Sequence, residues 1–137
     1  MRKRILFTMI VLVLGAMVLT ACGGGSADAP VGDAANGEVL YNSATLGSKT
    51  FAGCASCHFF DETKGSEAVA PYTAGTATKA ASRISGLSAE EYIRESIVNP
   101  DAYIVDGYTA GIMYQSWGED LTDEEINDII AYLLTLE

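Results

Sequence analysis

Cys54-Ala55-Ser56-Cys57-His58 is the one stretch of this 137-residue chain where thiols and an imidazole stand together. Two cysteines three residues apart lie on one helical turn, where their sulfurs can reach the two vinyl groups on one edge of a haem and form thioethers. The histidine directly after them is then carried under the ring, where an imidazole nitrogen can bind iron. Competing chemistries ask for residues the chain does not have. A structural zinc needs four ligands, and after Cys54, Cys57 and His58 no further Cys or His remains in the domain. A thioredoxin-like dithiol sits beside a βαβ pattern, which is missing, and a disulfide across two residues closes a loop too small to gain much. If no haem attached, Cys54 and Cys57 would be left to an extracytoplasmic thiol–disulfide oxidoreductase.

Haem iron has two axial positions, and His58 takes one. No second histidine exists, so bis-histidine ligation within the chain is impossible. Of the four methionines, Met1, Met9 and Met17 lie in the N-terminal apolar segment, which leaves Met113 as the candidate second ligand. It stands in a polar, irregular stretch, Gly107 to Asp120, where a core methionine is less expected. With His58 and Met113 both bound, no position is open to substrate, so the site moves one electron rather than making bonds. A neutral thioether also favours ferrous iron and raises the potential. The other reading of Met113 is ordinary packing. The iron would then be five-coordinate, as in a peroxidase or a diatomic-gas sensor.

These residues need elements to position them. Asp33 to Asn42 reads as a short helix, with Asp33 as its cap and Gly37 and Tyr41 on one face. Ser43 to Gly53 reads as a loop, and Asp61 to Ser85, with Pro71 in it, as a long wrapping loop with one helical turn. A second helix starts at the Ser88/Glu91 capping box, carries Tyr92, Ile93, Ile97 and Val98 as a stripe, and stops at Asn99-Pro100. The last helix opens on the Thr122/Glu125 capping box and repeats Ile126, Ile129, Ile130, Leu133 and Leu134 on one face. No segment alternates with a period of two, so the fold class is all-α: a small helical domain wrapped around one haem.

The N-terminus is an address. Arg2-Lys3-Arg4 precedes an uncharged apolar run, Ile5 to Ala21, and Leu19-Thr20-Ala21-Cys22 resembles a bacterial lipobox in which Cys22 is lipidated. The expected organisation is a lipoprotein signal peptide over residues 1–21, a flexible Gly-rich tether over 22–32 and a haem domain over 33–137. An uncleaved membrane helix is the alternative, and the run is at the lower edge of what spans a bilayer. Either way the basic end stays inside and the domain lies on the outer face of the cytoplasmic membrane. Net charge is −10 from 8 basic and 18 acidic side chains; without the three N-terminal positives, 5 stand against 18, or −13. That excludes nucleic acid as a main partner. It leaves two readings, steering toward a basic partner or a merely solvated surface.

Taken together, residues 33–137 resemble a class I c-type cytochrome, the small all-helical monohaem electron carrier. Gly37 and Tyr41 match that family's N-terminal helix, whose glycine allows a close crossing with the C-terminal helix at Tyr132. The stretch from Val69 to Pro100, with Ala70-Pro71, Arg83, Gly86-Leu87-Ser88 and Ile97-Val98-Asn99-Pro100, is similar to monohaem subunits of respiratory complexes such as alternative complex III. The resemblance implies one covalent haem c and an electron carrier rather than an enzyme in its own right. It also implies a respiratory electron-transfer complex or another cytochrome as partner. It assigns the Pro71 carbonyl to the proton on the other nitrogen of His58, and makes Arg83, Tyr103, Tyr108 and Trp117 candidates to contact haem propionates or wall the pocket. The family often has proline directly after the axial methionine. Here Tyr114 follows Met113.

Overall fold

A computed structural model describes residues 32–66 and 69–137; the N-terminal segment expected to direct export, Cys22 and nearly all of the expected tether lie outside the described residues. In chain order come helix α1 (Ala34–Asn42), strands β1 (Thr45–Leu46) and β2 (Phe51–Ala52), a 3-10 turn (Cys54–Ser56), and helices α2 (Thr76–Arg83), α3 (Ala89–Val98), α4 (Trp117–Asp120) and α5 (Asp123–Leu133). No helix among the described residues is long and apolar enough to cross a membrane.

The helix starts follow local chemistry. Asp33 caps α1 by accepting from the Ala35 and Asn36 amides, while Ser88 and Thr122 open α3 and α5 with complete capping boxes to Glu91 and Glu125. Acidic residues fill the first turns of α3 and α5, where the helix dipole favours them. The apolar stripe of α5 forms the centre of the core: Ile126, Ile129 and Ile130 are fully buried, with Leu133 close behind.

The framework is the crossing of α1 over α5. Gly37 faces the α5 backbone so closely that a β-carbon there would lie 1.9 Å from the Asp128 carbonyl oxygen. One turn on, the Tyr41 and Tyr132 rings meet with centroids 5.4 Å apart. The buried Asp128 carboxylate locks the crossing, with Oδ1 accepting from the Asp33 amide at 2.6 Å and Oδ2 from Asn36 Nδ2 at 2.7 Å. The Asn36 bond, followed by the Asp33 amide, holds the Asp128 carboxyl below its ordinary range. A depressed native pKa means stabilisation that is present above the unfolded-state value of about 3.9 and is lost as pH falls through the native one. Asp128→Asn therefore lowers the denaturant midpoint at neutral pH, and the gap to wild type closes below about pH 4. A pH series of denaturant titrations on both proteins checks this.

Three segments differ from the sequence expectation. Ser43 to Gly53 is a small antiparallel hairpin, Thr45 opposite Ala52 and Leu46 opposite Phe51, too short for any alternation to show. Within Asp61 to Ser85 the chain forms two turns of helix, α2, rather than one. Its small side chains give no apolar stripe, and it docks through Ala80, which is 1% exposed. Gly107 to Asp120 ends in the one-turn helix α4, set by burial of Trp117 rather than by a cap.

Candidate functional site

The 3-10 turn at Cys54 brings the C-x-x-C-H residues to the edge of a cavity of about 700 Å³. The His58 amide donates to the Cys54 carbonyl at 2.9 Å, closing the turn, and the His58 carbonyl accepts from the Tyr41 hydroxyl at 2.8 Å. Helix α1 thus positions the segment that carries the histidine. Burial pushes the Tyr41 hydroxyl pKa far up, so it stays a donor.

The chain after His58 is paired with the loop that holds Pro71. Thr73 and Ala74 amides donate to the Phe59 and Phe60 carbonyls at 3.0 and 2.8 Å. This sets the Pro71 carbonyl oxygen 3.1 Å from His58 Nδ1. A carbonyl can only accept, so Nδ1 carries the proton and Nε2 keeps its lone pair. Burial holds the His58 pKa below its usual value, the Pro71 carbonyl acting in the opposite direction. The neutral imidazole with a free Nε2 is the form a metal needs.

Cys54, Cys57, His58, Pro71 and Met113 all line this one cavity, and so do Arg83, Tyr103, Tyr108 and Trp117. The sequence-expected site residues of the domain are therefore brought together; Cys22 lies outside the described residues. Cys54 and Cys57 form no disulfide with each other, and burial pushes the Cys54 thiol up to about 11. No three His, Cys, Asp or Glu side chains converge as metal ligands among the described residues. The rest of the wall comes from residues the sequence suggested only as core, among them Ile93 and Ile97 of α3 and Ile129 and Leu133 of α5. Lys79 and Phe51 were not anticipated as lining residues; no motif marks them, and the fold alone brings them in.

The donor set fits a haem attached through two thioethers. It has two thiols at one edge, an imidazole whose tautomer is set from behind, a neutral thioether, and largely apolar walls with a cation at Arg83 for carboxylates. A family model described as Cytochrome c matches residues 44–137. No curated protein and no solved structure matches the chain.

Proposed function

Because the chain belongs to the cytochrome c family, whose cofactor is haem c and whose work is electron transfer, we propose that it is a membrane-tethered monohaem electron carrier. The observation that carries this reading is the convergence of Cys54, Cys57, His58 and Met113 on one cavity, with the Pro71 carbonyl fixing the imidazole. Haem c, when bound, takes up and releases a single electron without bonding to a substrate.

The chain's own residues do the rest. Cys54 and Cys57 would hold one edge of the cofactor through thioethers. His58 Nε2 and the Met113 thioether are the groups that would hold its iron, which would close the site to substrate and favour the reduced state. The Pro71 carbonyl holds the His58 proton on Nδ1, which would leave Nε2 free for the iron and keep the tautomer fixed. The helices around the cavity would shield a bound haem from bulk water and so limit the reorganisation that accompanies a change of charge. The raised Cys54 pKa is the opposite of what a redox-active dithiol needs, since such a nucleophile depends on a depressed one. Lipidation of Cys22 would hold the domain on the outer face of the cytoplasmic membrane, where two or three acyl chains anchor firmly. There it would pass electrons from a quinol-oxidising respiratory complex to a terminal oxidase or a soluble carrier.

One purification tests the reading. Protein extracted from membranes in mild detergent has the mass of the chain from Cys22 plus acyl groups plus one haem, and the haem survives acid-acetone extraction. Haem-staining bands that copurify identify the electron partner. Cys57→Ser leaves at most one thioether and sharply reduces mature protein. Haem freed by acid-acetone from the wild type overturns the covalent assignment. A chain that begins at Met1 without acyl mass replaces the lipid anchor with a retained helix.

A further inference from the structure

Met113 lacks the proline that often follows an axial methionine, yet side chains from other parts of the fold hold its loop on both sides. On one side, Asp101 Oδ1 accepts from the Gly111 amide at 2.9 Å and from Gln115 Nε2 at 3.4 Å. Gln115 Nε2 also donates to the Met113 carbonyl at 2.8 Å. On the other side the holding group is Tyr114. Its ring stacks on Phe51 of β2 at a centroid distance of 3.8 Å and 26°, and meets Trp117 edge-on at 5.0 Å. Its hydroxyl donates to Asp120 Oδ2 at 2.7 Å and accepts from Lys49 Nζ at 3.3 Å. Lys49 and Asp120 form an ion pair at 3.2 Å, and Ser48 Oγ donates to Asp120 Oδ1 at 3.1 Å.

Lys49 and Ser48 belong to the tip of the β1–β2 hairpin, and Phe51 to its second strand. That hairpin runs straight into Cys54, and Gly53 packs against the Ser43 carbonyl where a β-carbon would lie 1.9 Å from the oxygen. The same short ribbon therefore leads into the thiol segment and grips the methionine loop, both of which line the cavity. A proline restricts a loop through its own backbone. Here an aromatic stack and a hydroxyl–carboxylate bond on the neighbouring residue restrict it through tertiary contacts.

We propose that Tyr114 is a positioning residue for Met113, clamped by Phe51 and by the Asp120–Lys49 pair so that the thioether is presented to the axial position in place of the missing proline. This rests on the reading of Met113 as an axial ligand. A loose loop lets an external ligand displace the thioether more readily, whereas a loss of global stability alone does not.

The test is an imidazole titration of the ferric holoprotein, following the iron–thioether charge-transfer band. Tyr114→Ala raises the apparent imidazole affinity about tenfold, the size expected for loss of an aromatic stack together with its anchoring hydrogen bond. Tyr114→Phe keeps the stack, loses the bond to Asp120, and raises it about threefold. Phe51→Ala falls between the two. Ile126→Val, a buried change in α5 away from the cavity lining, lowers the unfolding midpoint and leaves imidazole affinity at the wild-type value. Wild-type affinity in Tyr114→Ala overturns the proposal, as does an equal rise in Ile126→Val. If Tyr114→Ala does not accumulate with haem, unchanged affinity in both Tyr114→Phe and Phe51→Ala overturns it. Absence of the band from the wild-type protein removes Met113 as a ligand and the proposal with it. A band present in wild type with affinity unmoved in the variants removes only the positioning role.

Discussion

Met113→Ala lowers the midpoint potential by on the order of 0.2 V, a fraction of the ~0.8 V that axial ligands span, and abolishes the ferric charge-transfer band. If Met113 ligates the iron as proposed, its neutral sulfur stabilises the ferrous state, and water or another hard ligand in its place stabilises the ferric state instead. Carbon monoxide then binds the reduced variant, whereas wild type with the thioether in place is expected to give no carbon monoxide difference spectrum. Met113→His restores six-coordination but keeps the potential low, because imidazole stabilises ferric iron better than a thioether does. The fold persists in both, since Met113 is only partly buried and the contacts of His58 with Pro71 and Tyr41 are untouched. Redox titration and carbon monoxide difference spectra make the measurement. An unchanged potential and band in Met113→Ala would mean that another group supplies the sixth ligand.

Gly37→Val carries the largest expected cost in stability. A side chain at residue 37 meets the Asp128 carbonyl oxygen and carbon at 1.9 and 2.4 Å and the Tyr132 β-carbon at 2.9 Å. Two of these three atoms are α5 backbone, so no rotamer change relieves the contact and the helices must move apart. Overpacking of this kind costs about 3 kcal/mol or more. It also pulls the Asp33 and Asn36 donors away from Asp128 and loosens the Tyr41 bond to the His58 carbonyl. Denaturant unfolding of the holoprotein shows a large fall in midpoint, and the ferric charge-transfer band is lost at a lower temperature on heating, while the haem stays covalently attached. A near-wild-type midpoint would mean that the crossing tolerates a wider separation than the structure has.

Some of this was decided by local chemistry alone. The C-x-x-C-H spacing, the two capping boxes and the Ile126, Ile129, Ile130 stripe each depend on residues within a turn or two of one another. Their physics is the same in any surroundings, which is why they can be read directly from the chain. Met113 emerged by elimination, because beyond Cys54, Cys57 and His58 the composition left no other sulfur or imidazole in the domain. Other features depend on residues far apart in sequence. The Pro71 carbonyl reaches His58 Nδ1 only because residues 73–74 pair with 59–60, and nothing in Ala70-Pro71 itself encodes that register. Helix α2 is invisible to an apolar pattern because its docking residue is Ala80, whose burial is supplied by its neighbours. The Asp128 clasp spans 95 residues to Asp33, and the Lys49–Tyr114 contact spans 65. A buried carboxylate in an acidic chain, or a tyrosine where a proline is common, has no local signature. What each does is set by the partner that the fold delivers, and only the tertiary structure names that partner.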